Sequence, residues 1–367
     1  MSFIGLHNLD DFAYGAAFMG TGGGGDPYLG KLFIRQALLE HGQPTIMDLA
    51  DVSDEAKIFC VAMMGAPTIL IEKMFSMEDL DLAVRSLENK LGYKADIIIP
   101  AEIGGVNATV PVAYAAYRGL PVLNADGMGR AFPSLEMVTF NIGGVSCTPM
   151  SLANEHGETK VIETVTTLEA EQASRPIITE WGGSGMISLY PMTGKQAKET
   201  AVAGTLSLAV GIGKAIREGN ERNDAIESLL RYLRTTDYFK HCAVVFEGKI
   251  VDLTRKTQKG WNVGFCHLQA LEDPNDRMEV IFQNEHLVAY RNGRVATIVP
   301  DLIAIVDSET AEPIATEALR YGQRVKVIGT SAAPIMRSPE ALKVFGPKCF
   351  GLDEPFVPIE QLVQTRE

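Results

Sequence analysis

The chain has 367 residues, with 46 acidic and 33 basic side chains and a net charge of −13. That length predicts about two domains, and 46% hydrophobic with 22% charged residues excludes a disordered chain. The acidic balance excludes nucleic acid or an anionic membrane as the main partner, because both require a concentrated basic face.

The first seven residues carry no basic flank before an apolar run, so no signal peptide is expected. Leu9–Phe18 reads as a short helix that runs into Gly20-Thr21-Gly22-Gly23-Gly24-Gly25. Leu29, Leu32, Phe33, Ala37 and Leu38 then recur at helical spacing over Tyr28–Glu40, with Asp26 as N-cap and Pro27 as the first helical residue. Ile58–Met64 predicts a buried strand ending at Gly65-Ala66-Pro67, and Met77–Lys90 a helix. Asp96–Pro100, Asn107–Arg118 and Pro121–Asn124 read as strand, helix and strand, with Pro111 near the first turn of the helix and Gly119 at its stop. That order implies parallel pairing.

Two helices are expected next, Thr193–Glu218 and Arg222–Leu233. Ala201–Ile216 is the most apolar long stretch, but it is short for a membrane span. Strand-like runs follow at Ala243–Leu253, Trp261–Leu271, Met278–Phe282, His286–Tyr290, Val295–Val299, Leu302–Val306 and Arg324–Ile328. Glu247-Gly248, Asp273-Pro274 and Asn292-Gly293 are the turn signals, the last being the strongest. The expected fold is therefore an N-terminal α/β domain with a parallel sheet (1–175) and a C-terminal β-rich, α+β domain with a helical start (176–367). Five widely spaced cysteines, Cys60, Cys147, Cys242, Cys266 and Cys349, fit a reduced, cytoplasmic protein better than a disulfide scaffold.

Several constellations have chemical potential. The tetraglycine loop lets backbone N–H groups approach a ligand, so Gly23, Gly24, Gly25 and Asp26 are candidate binding residues. A tight helix–helix connection is the alternative. The loop lacks the Walker offsets and follows a helix, so no nucleotide is expected. Glu102 and Asp126 each follow an apolar strand of the same crossover unit. Neighbouring parallel strands put both at the carboxyl edge of the sheet, roughly 5–10 Å apart. Such a pair can divide into acid and base or hold a divalent metal, although helix caps or surface acids would show the same pattern. Gly127, Gly129 and Arg130 form an adjacent candidate binding loop, where a guanidinium can clamp a carboxylate or close an internal salt bridge. Asn284, in Gln283-Asn284-Glu285, can read a heterocycle edge or sit in a hairpin turn. His241-Cys242 and Cys266-His267 suggest zinc, but neighbouring strand residues face opposite ways and no metal-site spacing exists. Cys147 is a further candidate nucleophile.

Gly22-Gly23-Gly24-Gly25-Asp26-Pro27-Tyr28 and Asp126-Gly127-Met128-Gly129-Arg130-Ala131-Phe132-Pro133 resemble signatures of the S-methyl-thiohydantoin desulfurase-like family. Gln283-Asn284-Glu285, Pro300-Asp301-Leu302-Ile303, Gly346-Pro347 and the later Phe350, Gly351 and Asp353 are similar to its C-terminal pattern. Ser134 departs from the acidic residue expected there, with Glu136 close by. The resemblance implies two domains and a small heterocyclic substrate, with some members replacing the ring sulfur of thiohydantoins by oxygen. Members of that family are often encoded near hydantoinase or oxoprolinase subunits, which makes such a protein a candidate partner. Three functions follow as alternatives: a hydrolase of thiohydantoins or S-methyl thiohydantoins, a non-catalytic subunit of such a complex, and a metal-dependent cyclic amidohydrolase. A homo-oligomer is compatible with each.

Overall fold

The computed structural model describes residues 4–25, 27–65, 69, 73, 75–258 and 261–364. The chain forms two compact units, and neither is continuous in sequence. The first comprises residues 1–9, 26–128 and 134–207, and the second comprises 10–25, 129–133 and 208–367. Helix α1 (Leu9–Met19) thus lies almost wholly in the second unit, whereas α2 (Pro27–His41) lies in the first.

The first unit is built on a seven-stranded sheet. Its parallel part is β1 (Ile46–Met47), β2 (Lys57–Gly65), β3 (Ile97–Pro100) and β4 (Val122–Leu123). A short strand β5 (Ala125–Asp126) follows β4 outside this sheet. On the far side of β2 come β6 (Met150–Ala153), β7 (Thr159–Ile162) and β8 (Ser184–Thr193), all antiparallel, giving the order β1-β4-β3-β2-β8-β6-β7. The sheet is therefore mixed, with a parallel half that carries the crossover. Helices α3 (Met77–Leu91) and α4 (Gly105–Arg118) bury Leu80, Val84, Leu87, Val106 and Val110 against Phe59, Val61 and Ile98 of the strands. Ser76 and Asp79 cap α3 reciprocally, and Gly92 ends it in a left-handed conformation at φ 76°.

Local signals misplace several elements. Pro111 lies well inside α4, because that helix begins at Gly105 rather than near Asn107. Beyond helices α5 (Thr139–Ile142) and α6 (Thr167–Glu180), strand β8 falls where the sequence predicts no strand. Its residues are buried along nearly their whole length, so no alternation marks it as a strand. The expected helix Thr193–Glu218 is interrupted. It becomes α7 (Gly194–Thr200), strand β9 (Val202–Ala203) and α8 (Thr205–Glu221), because β9 leaves the helical path to pair with β5. Ala66 and Pro67, expected to end β2, and Asp26, expected to cap α2, lie outside the described residues.

The second unit holds an antiparallel seven-stranded sheet in the order β14-β13-β12-β11-β10-β16-β15. Its strands are β10 (Cys242–Gln258), β11 (Trp261–Gln269), β12 (Arg277–Gln283), β13 (Glu285–Arg291), β14 (Arg294–Ile298), β15 (Leu302–Asp307) and β16 (Arg324–Thr330). Every expected strand of this half is present. Along β12, Met278, Val280 and Phe282 alternate inward and join Phe246, Ile250, Cys266 and Leu268 in one core. Asn292 (φ 52°) and Gly293 (φ 75°) make the two-residue turn that pairs Arg291 with Arg294. Glu247-Gly248, by contrast, is no turn. Gly248 runs through β10 and is glycine because a Cβ there would stand 2.3 Å from the Gln269 carbonyl oxygen. Helices α1, α8, α9 (Ala225–Arg234), α10 (Pro339–Phe345) and α11 (Ile359–Gln364) supply helices of this unit, with Asp11 accepting from Arg217 Nε at 2.8 Å.

Candidate active site

In the first unit, the register of the crossover places Glu102 and Asp126. Ile98 of β3 pairs with Val122 of β4, and each carboxylate lies four residues past its strand's paired position. The loops that carry them are joined directly, since Gly127 N–H donates to the Ala101 carbonyl at 3.0 Å. Gly127 has to be glycine, because a Cβ would fall 2.9 Å from that oxygen and 2.8 Å from the Phe140 ring.

Both acids are buried, Glu102 at 7% and Asp126 at 0% exposure. Asn107, in the second half-turn of α4, fixes Glu102 by donating from Nδ2 to Oε1 at 2.7 Å. The same amide exchanges hydrogen bonds with the backbone N–H and carbonyl of Met63 at the end of β2, which locks its orientation. Asp126 Oδ2 accepts from Met128 N–H at 2.8 Å, and β5 is held by β9 through Asp126↔Val202. Asn124, just before β5, binds Asp48 and Ser207 through its amide and accepts from Gly204 N–H on its carbonyl. Asn124 reads from the sequence only as a strand end; its polarity directly after the apolar Val122-Leu123 is the available signal.

The Cys60 thiol lies near this edge, and Cys147 lies near Cys60. Burial pushes Cys60 well above its ordinary value, with the Cys147 thiol, Asp126 and Glu102 adding to the effect. Burial likewise pushes Cys147 up to about 12. A thiol so raised is not a thiolate at neutral pH, so Cys147 lacks the activation a nucleophile needs. None of the five cysteines is in a disulfide.

In the second unit, the glycine loop packs on the turn between β12 and β13. A Cβ on Gly22 would stand 2.5 Å from the His286 imidazole, and one on Gly23 would stand 2.2 Å from the Glu285 carboxylate. These two glycines are therefore required by side chains already in place. Positive φ at Gly22, Gly24 and Gly25, with Thr21 at 51°, shapes the loop. It is pinned by His286 N–H on the Thr21 carbonyl at 2.8 Å and by Thr316 N–H on the Gly22 carbonyl at 2.8 Å. Thr316 Oγ1 also donates to the carbonyl of Asn284, a turn residue at φ 60°. Asp26 lies outside the described residues.

Arg130, which follows Gly129 (φ 64°), is wholly buried in this unit. Its guanidinium donates to the carbonyls of Ala131, Pro300, Asp301 and His286 and to Thr21 Oγ1. The Phe132 ring lies 4.1 Å from it. Asp301 is equally committed, accepting from the backbone N–H groups of Ala332 and Ile359 and from Arg337 Nε at 2.7 Å.

His286 has a different character. It is fully buried, its Nδ1 lies 2.9 Å from the Ile303 carbonyl oxygen, and Nε2 is a buried atom with no hydrogen-bond partner among the described residues. Burial lowers its pKa to about 4, and the Arg130 charge adds to this. Nothing in the sequence separates it from an ordinary strand residue.

The remaining candidates disperse. Cys266 belongs to the core while His267 faces outward beside Glu279, so the pair offers no joint ligand set. Among the described residues, no group of three or more His, Cys, Asp or Glu is arranged to hold a metal. A groove of about 770 Å³ on the outer face of the second sheet is lined by Asp252, His267, Arg277, Glu279 and Tyr290, and none of the buried acids reaches it. Among the described residues, no helix is long and apolar enough to cross a membrane.

A mixed α/β unit with buried acids at its carboxyl edge, followed by an antiparallel β unit, defines a two-domain architecture. Models of the S-Me-THD-like family match residues 7–164 (N-terminal domain) and 165–359 (C-terminal domain), and the chain belongs to that family. It is also similar to the crystal structure of a Chromobacterium violaceum protein. The TM-score is 0.79 and the identity 26%, over 98% of this chain and 100% of that one. No curated protein matches the chain.

Proposed function

We propose that the protein hydrolyses the carbon–sulfur bond of an S-methyl thiohydantoin, with Glu102 and Asp126 as its acid and base. The observation that carries this reading is the pair itself: two buried carboxylates at equal offsets on adjacent parallel strands, each with one oxygen held by a fixed donor. The ring carbon bearing sulfur is an isothiourea carbon. Glu102 in its acid form protonates the adjacent ring nitrogen, which makes that carbon electrophilic. Asp126 accepts a proton from the attacking water as the carbon–oxygen bond forms. Collapse of the tetrahedral intermediate breaks the carbon–sulfur bond and expels methanethiolate. The proton gained by Asp126 neutralises the thiolate, and the new hydroxyl gives its proton to Glu102, leaving a hydantoin carbonyl beside the ring N–H. Asn107 acts as a positioning residue through Glu102. Family membership supports the substrate class.

The test is thiol release from S-methyl thiohydantoins by wild type, Asp126→Asn and Glu102→Gln. Each substitution is expected to lower turnover by about 10²-fold or more, the usual contribution of a placed acid or base. Full activity in both variants refutes the assignment. Absence of thiol release from wild type itself would favour a non-catalytic role beside a hydantoinase-type partner.

A further inference from the structure

We propose that His286 Nε2 is a ligand-binding acceptor in the second unit, taking the N–H of a neutral small molecule admitted by displacement of the Gly22–Gly23 loop. Four observations converge on it.

The first is the tautomer. The Ile303 carbonyl can only accept, so the 2.9 Å contact puts the ring proton on Nδ1 and leaves Nε2 as a bare lone pair. The second is the state of that lone pair. It is buried and has no partner among the described residues, an arrangement that costs stability unless something fills it.

The third is the covering. The Gly22 backbone lies beside the ring on this side, so that a Cβ added there would stand 2.8 Å from Nε2. Any side chain at Gly22 would seal or distort the approach, whereas a glycine peptide can rotate away from it. Thr316 donates to the Gly22 carbonyl from both its N–H and its Oγ1, and His286 N–H holds the Thr21 carbonyl beside it.

The fourth is charge, and it selects the ligand. The Arg130 guanidinium lies near enough to depress protonation of His286, which disfavours a cation or metal at Nε2. The Glu285 carboxylate lies under Gly23, the next residue of the same loop, which disfavours an anion. A neutral donor remains, and amide-like or ureide N–H groups have the required polarity. The choice of hydantoin as probe rests on the proposed reaction; the acceptor role of Nε2 does not.

The experiment is a titration of the full chain, labelled with ¹⁵N-histidine, with hydantoin and separately with 1,3-dimethylhydantoin. At neutral pH His286 is expected to show a protonated Nδ1 and an unprotonated Nε2. Hydantoin should shift the Nε2 resonance upfield and leave the other five histidines in place, whereas the dimethyl compound, with no N–H, should shift nothing. Gly22→Ala should abolish the hydantoin response. A protonated Nε2, an unmoved Nε2 at saturating hydantoin, or an equal response to the dimethyl compound overturns the proposal. The ligand-side comparison needs no variant to fold. A positive titration stands even if no thiol is ever released, so failure of the hydrolase reading and failure of this one are separate results.

Discussion

At the residue scale, histidine and arginine in the second unit show how burial assigns roles that composition cannot. Arg130 was a candidate clamp for substrate, and its donors are shared among four carbonyls and a hydroxyl. His286 reads from the sequence only as the first residue of a strand, yet its state is the more consequential. Its pKa falls from 6.5 to about 4 on folding, chiefly by desolvation. Above pH 6.5 the ring is neutral in both folded and unfolded chains, and it adds no pH dependence. As pH falls through 6.5, the unfolded chain gains a proton that the folded chain refuses, so stability drops. The loss levels off near pH 4, where the folded ring also protonates, and totals about 3 kcal/mol. Urea unfolding of wild type and His286→Gln at pH 7, 5.5 and 4.5 checks this. The variant should lose the corresponding part of the slope, and identical slopes would show that the ring titrates alike in both states. The thiols give a second check. Cys349 is exposed and Cys60 and Cys147 are buried with raised pKa values. At pH 8 a thiol reagent should therefore label Cys349 rapidly, and Cys60 and Cys147 only after unfolding. Rapid labelling of Cys147 in the folded chain would contradict its burial.

At the element scale, what the sequence disclosed depended on whether a signal was local. The antiparallel strands of the second unit were legible because one face is core and the other is not, so alternation survives in stretches such as Arg277–Gln283. The crossover was legible because Ile97–Ile99 and Val122–Leu123 are short apolar runs around a helix stopped by Gly119. Strand β8 was not, since a strand buried on both faces shows no period, and Pro191 and Gly185 argue against it. Tyr190 sits there at φ 46°, beside an irregularity in the pairing with β2. Close helix approach was equally hidden. Gly15 and Gly213 read as poor helix formers, yet a Cβ on Gly15 would stand 1.8 Å from the Ala209 carbonyl oxygen, and one on Gly213 1.8 Å from that of Asp11. Their absent side chains let α1 and α8 touch backbone to backbone. Gly213→Ala should accordingly destabilise by about 1–3 kcal/mol through forced separation of the helices, despite alanine's better helix propensity. Gly293→Ala, with open space around its Cβ, should cost only the left-handed backbone strain, about 1–2 kcal/mol. Thermal melts decide both, and a Gly213→Ala protein more stable than wild type would refute the packing account.

At the scale of the whole molecule, the chain's two halves and its two compact units are different divisions. The family models meet at residue 164/165, whereas the units exchange segments 10–25 and 129–133 and change over within α8, after Ser207. The candidate acids depend on segments from beyond the family boundary. Strand β8, at 184–193, pairs with both β2 and β6, so without it β2 becomes an open edge and the β6–β7 hairpin loses its attachment. Strand β5, which carries Asp126, loses β9 at 202–203. Asn124 loses Ser207 and Gly204. The same cut strips Arg130 of the Pro300 and Asp301 carbonyls, leaving a buried guanidinium with unmet donors, which is costly. Residues 1–164 and 165–367, expressed as separate chains, should therefore each lack a cooperative thermal transition, and residues 1–164 should show no protected amides in β2. The outcome discriminates between two views of the architecture. If the N-terminal half melts cooperatively on its own, β8 and β9 are accessories, and the carboxylate edge is complete without them. If it does not, the edge that holds Glu102 and Asp126 is assembled only when strands from both halves are present, and point substitutions in β8 far from either acid should lower activity and stability together.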